Sequence, residues 1–340
     1  MSNKITVGTQ KSSRIWPVLL IGSLSMFFAE VFSGASPLWF IDAWSIIVTF
    51  PLYTFHLLFF LNLAMRCRRM SLESLYLWGV LFSFYEFWIT KVMWCGFFRE
   101  EPLLGTFLGI AIFEFIVLAF FWHPIMSFML PIFVYEVLTA ENNGVMIIGH
   151  KSLLSKTRRN KALAIYLIIV GSASLTFNTS FNIFVSFITG LGSILIIWLL
   201  YNKCKKIGAN IKDLYFGRRG MIGITIYLAA LYAVLFPLLL PERIPGIGTI
   251  LITMALYLLI LLLIYSDREV NGCESNINSL FSVSDLRNYA IFFAVLLIIL
   301  ALIQPLGTIL FIILIIFNSI IGTAIFLRVV LVILKHRILH

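Results

Sequence analysis

Ten apolar runs, each about 20 residues long, divide this sequence and constrain its fold more than any other feature. They cover residues 15–33, 44–65, 74–95, 103–122, 161–178, 182–201, 220–240, 246–266, 288–304 and 306–327. Hydrophobic residues make up 61% of the chain and charged residues 12%, about half the charged fraction of an average soluble domain. A run of this length lets a helix cross the hydrocarbon core of a bilayer. The sequence therefore predicts an all-α fold, a polytopic transmembrane helical bundle with about ten spans.

A further apolar stretch, residues 123–139, differs from the others because two prolines interrupt it. Proline removes a backbone donor, so carbonyl groups one turn earlier must find other partners at membrane depth. We therefore expect one Pro-broken re-entrant or interfacial segment here, with a gating role and access to the inner side. Its candidate gate or inner-side residues are His123, Pro124, Pro131 and Glu136.

The distribution of positive charge predicts the orientation of the chain. If residues 103–139 cross the membrane once, 22 Lys and Arg residues fall on one side, and Arg99 and Arg243 fall on the other. Cytoplasmic loops carry such an excess, which predicts a multi-pass protein of the cell membrane with both termini in the cytoplasm. The net charge of +10 is then explained by the lipid bilayer and its anionic headgroups at the cytoplasmic face, and nucleic acid is not a predicted partner. The sequence predicts no oligomeric state.

This topology divides the chain into four segments. Residues 1–14 form a cytoplasmic N-terminal tail, and residues 15–139 form an N-terminal membrane bundle that carries the buried ionisable residues. A basic cytoplasmic loop follows at 140–160. Residues 161–340 are expected to form a C-terminal membrane bundle of three helical hairpins.

Ionisable side chains inside the predicted membrane segments are confined to the first 140 residues. Such groups are costly in hydrocarbon and usually face a protein interior or a wet cavity, so they are candidates for function. Glu30, His56, Glu86 and Glu114 come from the first four predicted spans, at positions that would let them meet in one layer near mid-depth. Like charges in a low dielectric do not all ionise, so these residues are candidates for binding a proton or another ion.

The sequence contains no recognisable catalytic motif. The HExxH, GxSxG, Walker A and GxGxxG patterns and Cys/His metal spacings are absent. A serine and histidine pair would have to use Ser33 or Ser36 with His56. The spacing of Gly105 and Gly109 is typical of close helix approach. Catalytic residues and cofactors are therefore unassigned, and no metal site is predicted.

Three interpretations of the buried carboxylates stay open. The first is a proton- or cation-coupled membrane transporter that uses mid-membrane glutamates, and the depth of the polar residues favours it. The second is a membrane-embedded enzyme in which glutamates and histidines act as acid and base on a lipid-linked or membrane substrate. The third is a non-catalytic membrane assembly subunit whose carboxylates hold helices together.

Overall fold

The computed structural model describes residues 14–97, 101–143, 146–270, 273–274 and 280–339, and it confirms an all-α helical membrane bundle. Residues 1–13 of the predicted tail and Arg99 lie outside the described residues. The helices are α1 (Ile15–Val31), α2 (Ser45–Arg66), α3 (Leu72–Ser83), α4 (Tyr85–Trp88), α5 (Val92–Cys95), α6 (Ile112–Ala140), α7 (Lys151–Leu154), α8 (Arg158–Asn178), α9 (Ile183–Lys206), α10 (Arg218–Leu238), α11 (Ile247–Ser266), α12 (Val283–Leu302) and α13 (Gln304–Leu339). Four two-residue strands are β1 (Thr106–Phe107), β2 (Ile110–Ala111), β3 (Met146–Ile147) and β4 (Cys273–Glu274).

The helices are roughly consistent with the ten predicted spans. Within the described residues, eight helices are long and apolar enough to cross a membrane by themselves, namely α2, α6 and α8 to α13. α1 is a shorter apolar helix, and the third predicted span is divided into α3, α4 and α5. Lys91 ends this span's regular geometry because its backbone takes a left-handed φ of 61° immediately before α5. A non-glycine residue in that conformation does not continue a right-handed helix.

The prediction of a re-entrant or interfacial segment at residues 123–139 is wrong, because these residues are the second half of one continuous helix, α6. In regular α-helical geometry Pro124 would leave the carbonyl of Phe120 without a partner, and Pro131 would do the same to the carbonyl of Ser127. The Tyr76 hydroxyl donates to the Phe120 carbonyl at 2.7 Å, and the Ser25 hydroxyl donates to the Ser127 carbonyl at 2.8 Å. Side chains of neighbouring helices therefore satisfy the freed groups, and the helix does not need to break.

The start of the fourth predicted span is a hairpin and not a helix. β1 and β2 pair antiparallel, and the turn between them contains Leu108 and Gly109 with φ values of 54° and 78°. Gly105 also has a positive φ of 71°. These glycines therefore supply turn conformations that other residues adopt at a cost, and neither lies in a helix, so the helix pair expected from their spacing does not form. A Cβ on Gly109 would clash with the Thr249 hydroxyl oxygen, so this glycine permits the hairpin to approach α11. The helix begins only at Ile112.

The loop between α9 and α10 packs onto the ends of α1 and α2. Arg14 donates to the Tyr215 carbonyl at 3.2 Å. The buried Asn62 amide donates to the Leu214 carbonyl at 2.9 Å, and its oxygen accepts from the Phe216 N–H at 2.7 Å. One asparagine of α2 thus bonds a carbonyl and an N–H group of this loop, which enters the bundle at the end where α2 ends.

Two other long loops meet at this end. β3 pairs antiparallel with β4, which joins the loop 140–160 to the loop 267–287. The Lys156 ammonium lies 2.6 Å from the Asp285 carboxylate and adds an ion pair between the loop 140–160 and the first turn of α12. The loop after α2 and the first turn of α3 join them through Val270 N–H and Arg68 O at 2.9 Å and through Ser74 Oγ and Asp267 Oδ2 at 2.5 Å. These loops therefore lie on one face, which we call the basic face.

α3 and α6 cross at close range. A Cβ atom placed on Gly79 would lie 2.6 Å from the Pro124 Cα and 3.0 Å from its carbonyl oxygen. Because a Cβ atom does not fit at this distance, glycine permits the approach of the two backbones. The crossing places the end of α3 and the following α4 against the middle of α6.

Candidate functional site

The helices around the crossing depart from regular α-helical geometry where the candidate residues lie. α1 is π-helical over Phe27–Val31, α2 over Ser45–Thr49 and α6 over Ile116–Met129. α4 is a separate turn of four residues, between interruptions at Phe84 and after Trp88. π-helical turns change which way the following side chains face and are frequent at functional sites.

Glu30 and Tyr53 form the first half of the site. The Tyr53 hydroxyl donates to Glu30 Oε1 at 2.5 Å, and the Ser36 hydroxyl donates to Glu30 Oε2 at 2.5 Å. Tyr53 also shares a hydrogen bond of 2.6 Å with the hydroxyl of Tyr85. Both oxygens of the carboxyl group are therefore partnered, and one phenol joins α1 to α2 and α4.

Glu86 and His123 form the second half. His123 Nε2 lies 3.1 Å from Glu86 Oε1, and His123 Nδ1 lies 2.9 Å from the Ser127 hydroxyl. Thr90 donates to the other oxygen of Glu86. Ser127 follows His123 by four residues in α6, so the two side chains share a helix face. His123 therefore lies deep in the bundle against Glu86, which corrects its expected place near the inner side.

The two halves are in direct contact. Tyr85 and Glu86 are consecutive residues of α4, and the Tyr85 ring meets the His123 ring edge-on with 5.2 Å between centroids. The Tyr53 and His123 rings lie 6.2 Å apart. We call the five residues Glu30, Tyr53, Tyr85, Glu86 and His123 the Glu30–His123 network.

The network is closed to solvent except at one end. Glu86 and His123 are 7% and 2% exposed, and Tyr53 is also buried. Glu30 is only partly buried, and its partner Ser36 lies in the loop between α1 and α2, on the face opposite the basic face. Glu30 is therefore the partly exposed end of the network.

His56 adjoins the network but has its own partners. Its Nδ1 lies 2.8 Å from the Leu52 carbonyl and its Nε2 lies 2.9 Å from the Tyr232 hydroxyl. A carbonyl only accepts, so Nδ1 carries the proton of the ring. The His56 and Tyr85 rings are 5.5 Å apart, which makes His56 part of the wall of the network. Neither Ser33 nor Ser36 is its partner, contrary to the one serine and histidine pair that the sequence allowed.

Glu114 does not join the layer expected from the sequence. It lies in the first turn of α6, beside the β1–β2 hairpin, and its Oε1 accepts from the Leu103 N–H at 3.3 Å. Its other carboxyl oxygen is buried without a hydrogen-bond partner. Because α6 begins at Ile112 and not at 103, Glu114 is at the rim of the bundle and not at mid-depth.

Glu136 belongs to a separate pair at the basic face. Its carboxyl oxygens accept from the Ile147 N–H at 2.6 Å and lie 2.5 Å from His150 Nδ1. Both side chains are fully buried. The pair fixes β3 to the end of α6, and this is an architectural role that the sequence did not indicate for either residue.

Three partners in this region could be recognised only in part from the sequence. Tyr53 shares the polar stripe of α2 with Thr49 and His56, which is a helical spacing that signals a common face. Ser127 carries no comparable signal, because a serine hydroxyl in an apolar run is commonly bonded within its own helix. Tyr85 carries none because it is one of several aromatic residues in its apolar run. Among the described residues no group of three or more His, Cys, Asp or Glu side chains is arranged to hold a metal ion.

Fold and site together define the class of the protein as a multi-pass helical membrane protein with a buried polar network. The chain belongs to the Uncharacterized membrane protein family, whose model matches residues 19–340. It is 32% identical over 257 residues to an uncharacterized protein of Archaeoglobus fulgidus, a match that covers 75% of this chain and 78% of that protein. No solved structure matches the chain significantly.

Proposed function

We propose that this protein is a membrane transporter coupled to a proton or a monovalent cation, and that the Glu30–His123 network is the coupling site. The observation that supports this most is the arrangement of two carboxyl groups from different helices around one imidazole inside the bundle. Glu30 and Glu86 are joined through Tyr53, Tyr85 and His123 over contacts of 2.5 to 3.1 Å and one ring contact.

The charges of the network come from two carboxyl groups and one imidazole, so carboxyl groups are in excess. An uncompensated negative charge at membrane depth costs roughly 2.5 kcal/mol or more, so binding a proton or a monovalent cation is favoured.

The irregular helices supply places where the site could change its access. Discontinuous helices line the ion and substrate sites of many secondary transporters, and α3 to α5 are discontinuous beside Glu86. Glu30 faces the loop that contains Ser36, so we infer that this side admits the ion in the conformation described. Passage to the basic face requires a second conformation in which His123 or Ser127, now buried, meets water.

We further infer that the basic face is cytoplasmic. The described loops on it carry most of the Lys and Arg residues, and the positive-inside rule then places both termini in the cytoplasm of a cell-membrane protein. The same face would contact anionic lipid headgroups.

A pH-jump experiment tests the coupling site without knowledge of the transported solute. The purified chain is reconstituted into vesicles on a solid-supported membrane, and the transient current is recorded when the external pH is lowered. We expect a charge displacement in the wild type, because protons enter the network from the Glu30 side. Glu30→Gln and Glu86→Gln keep shape and hydrogen bonding but remove titration, and they should abolish or strongly reduce it.

Glu114→Gln is the matched control, because Glu114 is a buried glutamate of the same bundle outside the network. It should leave the displaced charge at the wild-type value. Equal charge displacement in the wild type, Glu30→Gln and Glu86→Gln, with normal expression and melting temperature, would contradict the proposal. That result would favour the assembly subunit, in which the carboxyl groups only hold helices together.

One observation favours a second candidate, a membrane-embedded hydrolase. Ser127, His123 and Glu86 are connected in the order of a serine, histidine and carboxylate triad, over 2.9 and 3.1 Å. The Ser127 side chain is fully buried, so a substrate would reach it only after α6 moves. A fluorophosphonate probe decides this, since labelling that is lost in Ser127→Ala supports the hydrolase and an absence of labelling in the wild type contradicts it.

A further inference from the structure

A second feature, independent of the network, is an apolar groove on the side of the bundle. It has a volume of about 640 Å³ and lies between α1, α6, α8, α9 and α12. Apolar side chains at its edges are open to the surroundings, among them Ile291 at 57% and Trp198 at 45% exposure. The groove therefore opens to the side, toward the hydrocarbon of the bilayer.

The dimensions of the groove match one lipid chain. On α12 its lining extends from Val283 to Ile298, which corresponds to about 22 Å along the helix axis. Half the hydrocarbon core of a bilayer is about 15 Å thick, so the groove follows one leaflet from the basic face past the midplane. An acyl chain of that leaflet bound in the groove would run along α12.

The groove ends at a single positive charge. Among the described residues that line it, the charged one is Arg287, in the second turn of α12 at the basic face. The neighbouring acid, Asp285, is paired with Lys156 at 2.6 Å and therefore does not neutralise Arg287. A guanidinium group binds phosphate oxygens in a bidentate geometry.

We propose that the groove is a binding site for an anionic phospholipid, with one acyl chain in the groove and its phosphate at Arg287. A cavity of this size left empty would forfeit dispersion contacts along its walls, and its apolar lining offers water no hydrogen bonds. Phe27 and Phe28, which line the groove, belong to the π-helical turn that also contains Glu30. A bound lipid chain thus supports the wall behind the Glu30–His123 network.

Native mass spectrometry of the full chain in mild detergent tests this site, with phosphatidylglycerol and phosphatidylcholine as probes. We expect the wild type to bind phosphatidylglycerol more tightly. Arg287→Gln should weaken that preference about fivefold, the factor that corresponds to about 1 kcal/mol for one basic residue at an anionic surface. Ala290→Phe fills the groove and should remove binding of both lipids.

Two control variants carry the same changes outside the groove. Arg219→Gln removes an exposed charge on the basic face, and Ala230→Phe adds a ring to an exposed position of α10. Both should bind phosphatidylglycerol as the wild type does. If Ala290→Phe does not yield folded protein, Ala164→Phe fills the groove from the opposite wall on α8.

The proposal is overturned if a folded groove-filling variant binds phosphatidylglycerol as tightly as Ala230→Phe. It is also overturned if the wild type is a dimer without bound lipid and Ala290→Phe makes it a monomer, because a second copy of the chain would then occupy the groove. An equal affinity of wild type and Arg287→Gln for phosphatidylglycerol would contradict the assigned position of the phosphate.

Discussion

The close crossing of α3 and α6 predicts that even a methyl group at position 79 lowers the stability of the protein. In Gly79→Ala the new methyl group would lie 2.6 Å from the Pro124 Cα, whereas carbon atoms in contact are about 3.5 to 4.0 Å apart. The two helices must separate by about 1 Å. Overpacking of this kind costs about 1 to 3 kcal/mol, which we expect to lower the melting temperature by roughly 2 to 6 °C.

The assay is thermal unfolding in detergent, followed by tryptophan fluorescence. Gly223→Ala is the matched control, because a Cβ on Gly223 meets no atom within 4 Å at its exposed position inside α10. Alanine exceeds glycine in helix propensity by up to about 1 kcal/mol, so this variant should be as stable as the wild type or more stable. Replacing glycine by alanine should therefore lower the melting temperature at position 79 and leave it unchanged or raise it at position 223.

A melting temperature of Gly79→Ala equal to or above that of the wild type would contradict a close crossing of α3 and α6. It would mean that α3 and α6 are farther apart than described, or that the crossing yields without cost. Because the crossing positions Glu86 against His123, Gly79→Ala should also reduce the charge displaced in a pH jump, whereas Gly223→Ala should not.

Three further predictions concern other parts of the molecule. Asn62→Ala should destabilise the protein by about 1 to 3 kcal/mol in chemical or thermal unfolding, because buried backbone groups lose their partner, and an unchanged stability would show that water replaces it. Hydrogen bonds from the side chain and backbone of Ser45 hold the pKa of Asp42 below its ordinary value of 3.8. Its stabilising effect should therefore be complete above that value and be lost as the pH falls through the lowered pKa, so wild type and Asp42→Ala should differ in melting temperature at neutral pH and converge as the pH falls through that lowered pKa. Topology reporters inserted at Asn210 should be cytoplasmic and reporters at Arg243 should not, and both on one side would contradict the assigned topology.

The bundle itself could be predicted because its determinants are local. Apolar length defined the spans, and the positive charges grouped the loops that the structure brings together on the basic face. The continuity of α6 could not be predicted in this way. It depends on Tyr76 and Ser25, which lie far from Pro124 and Pro131 in sequence and satisfy the carbonyls that the prolines free.

The sequence predicted which carboxylates belong to the site, but it did not predict the hydrogen bonds that join them. Glu30 and Glu86 stood out because a charged residue in an apolar run is costly. The hydrogen bonds that join them pass through Tyr53 and Tyr85, whose orientation depends on π-helical turns and helix interruptions that ideal helical spacing does not contain. Glu114 was misplaced for a similar reason, because the hairpin before α6 moves the start of the helix from 103 to Ile112.

We propose above that the Glu30–His123 network is a coupling site, and in the proton-coupled case it holds a proton that it exchanges with solvent. Infrared difference spectroscopy of the reconstituted protein, recorded between acidic and alkaline pH, detects the C=O stretch of protonated carboxyl groups. We predict a protonated-carboxyl band in the wild type that disappears as the pH rises. The band should be absent from at least one of the two variants Glu30→Gln and Glu86→Gln, and it should persist in Glu114→Gln. A titrating band that is unchanged in both network variants and lost in Glu114→Gln would contradict the claim.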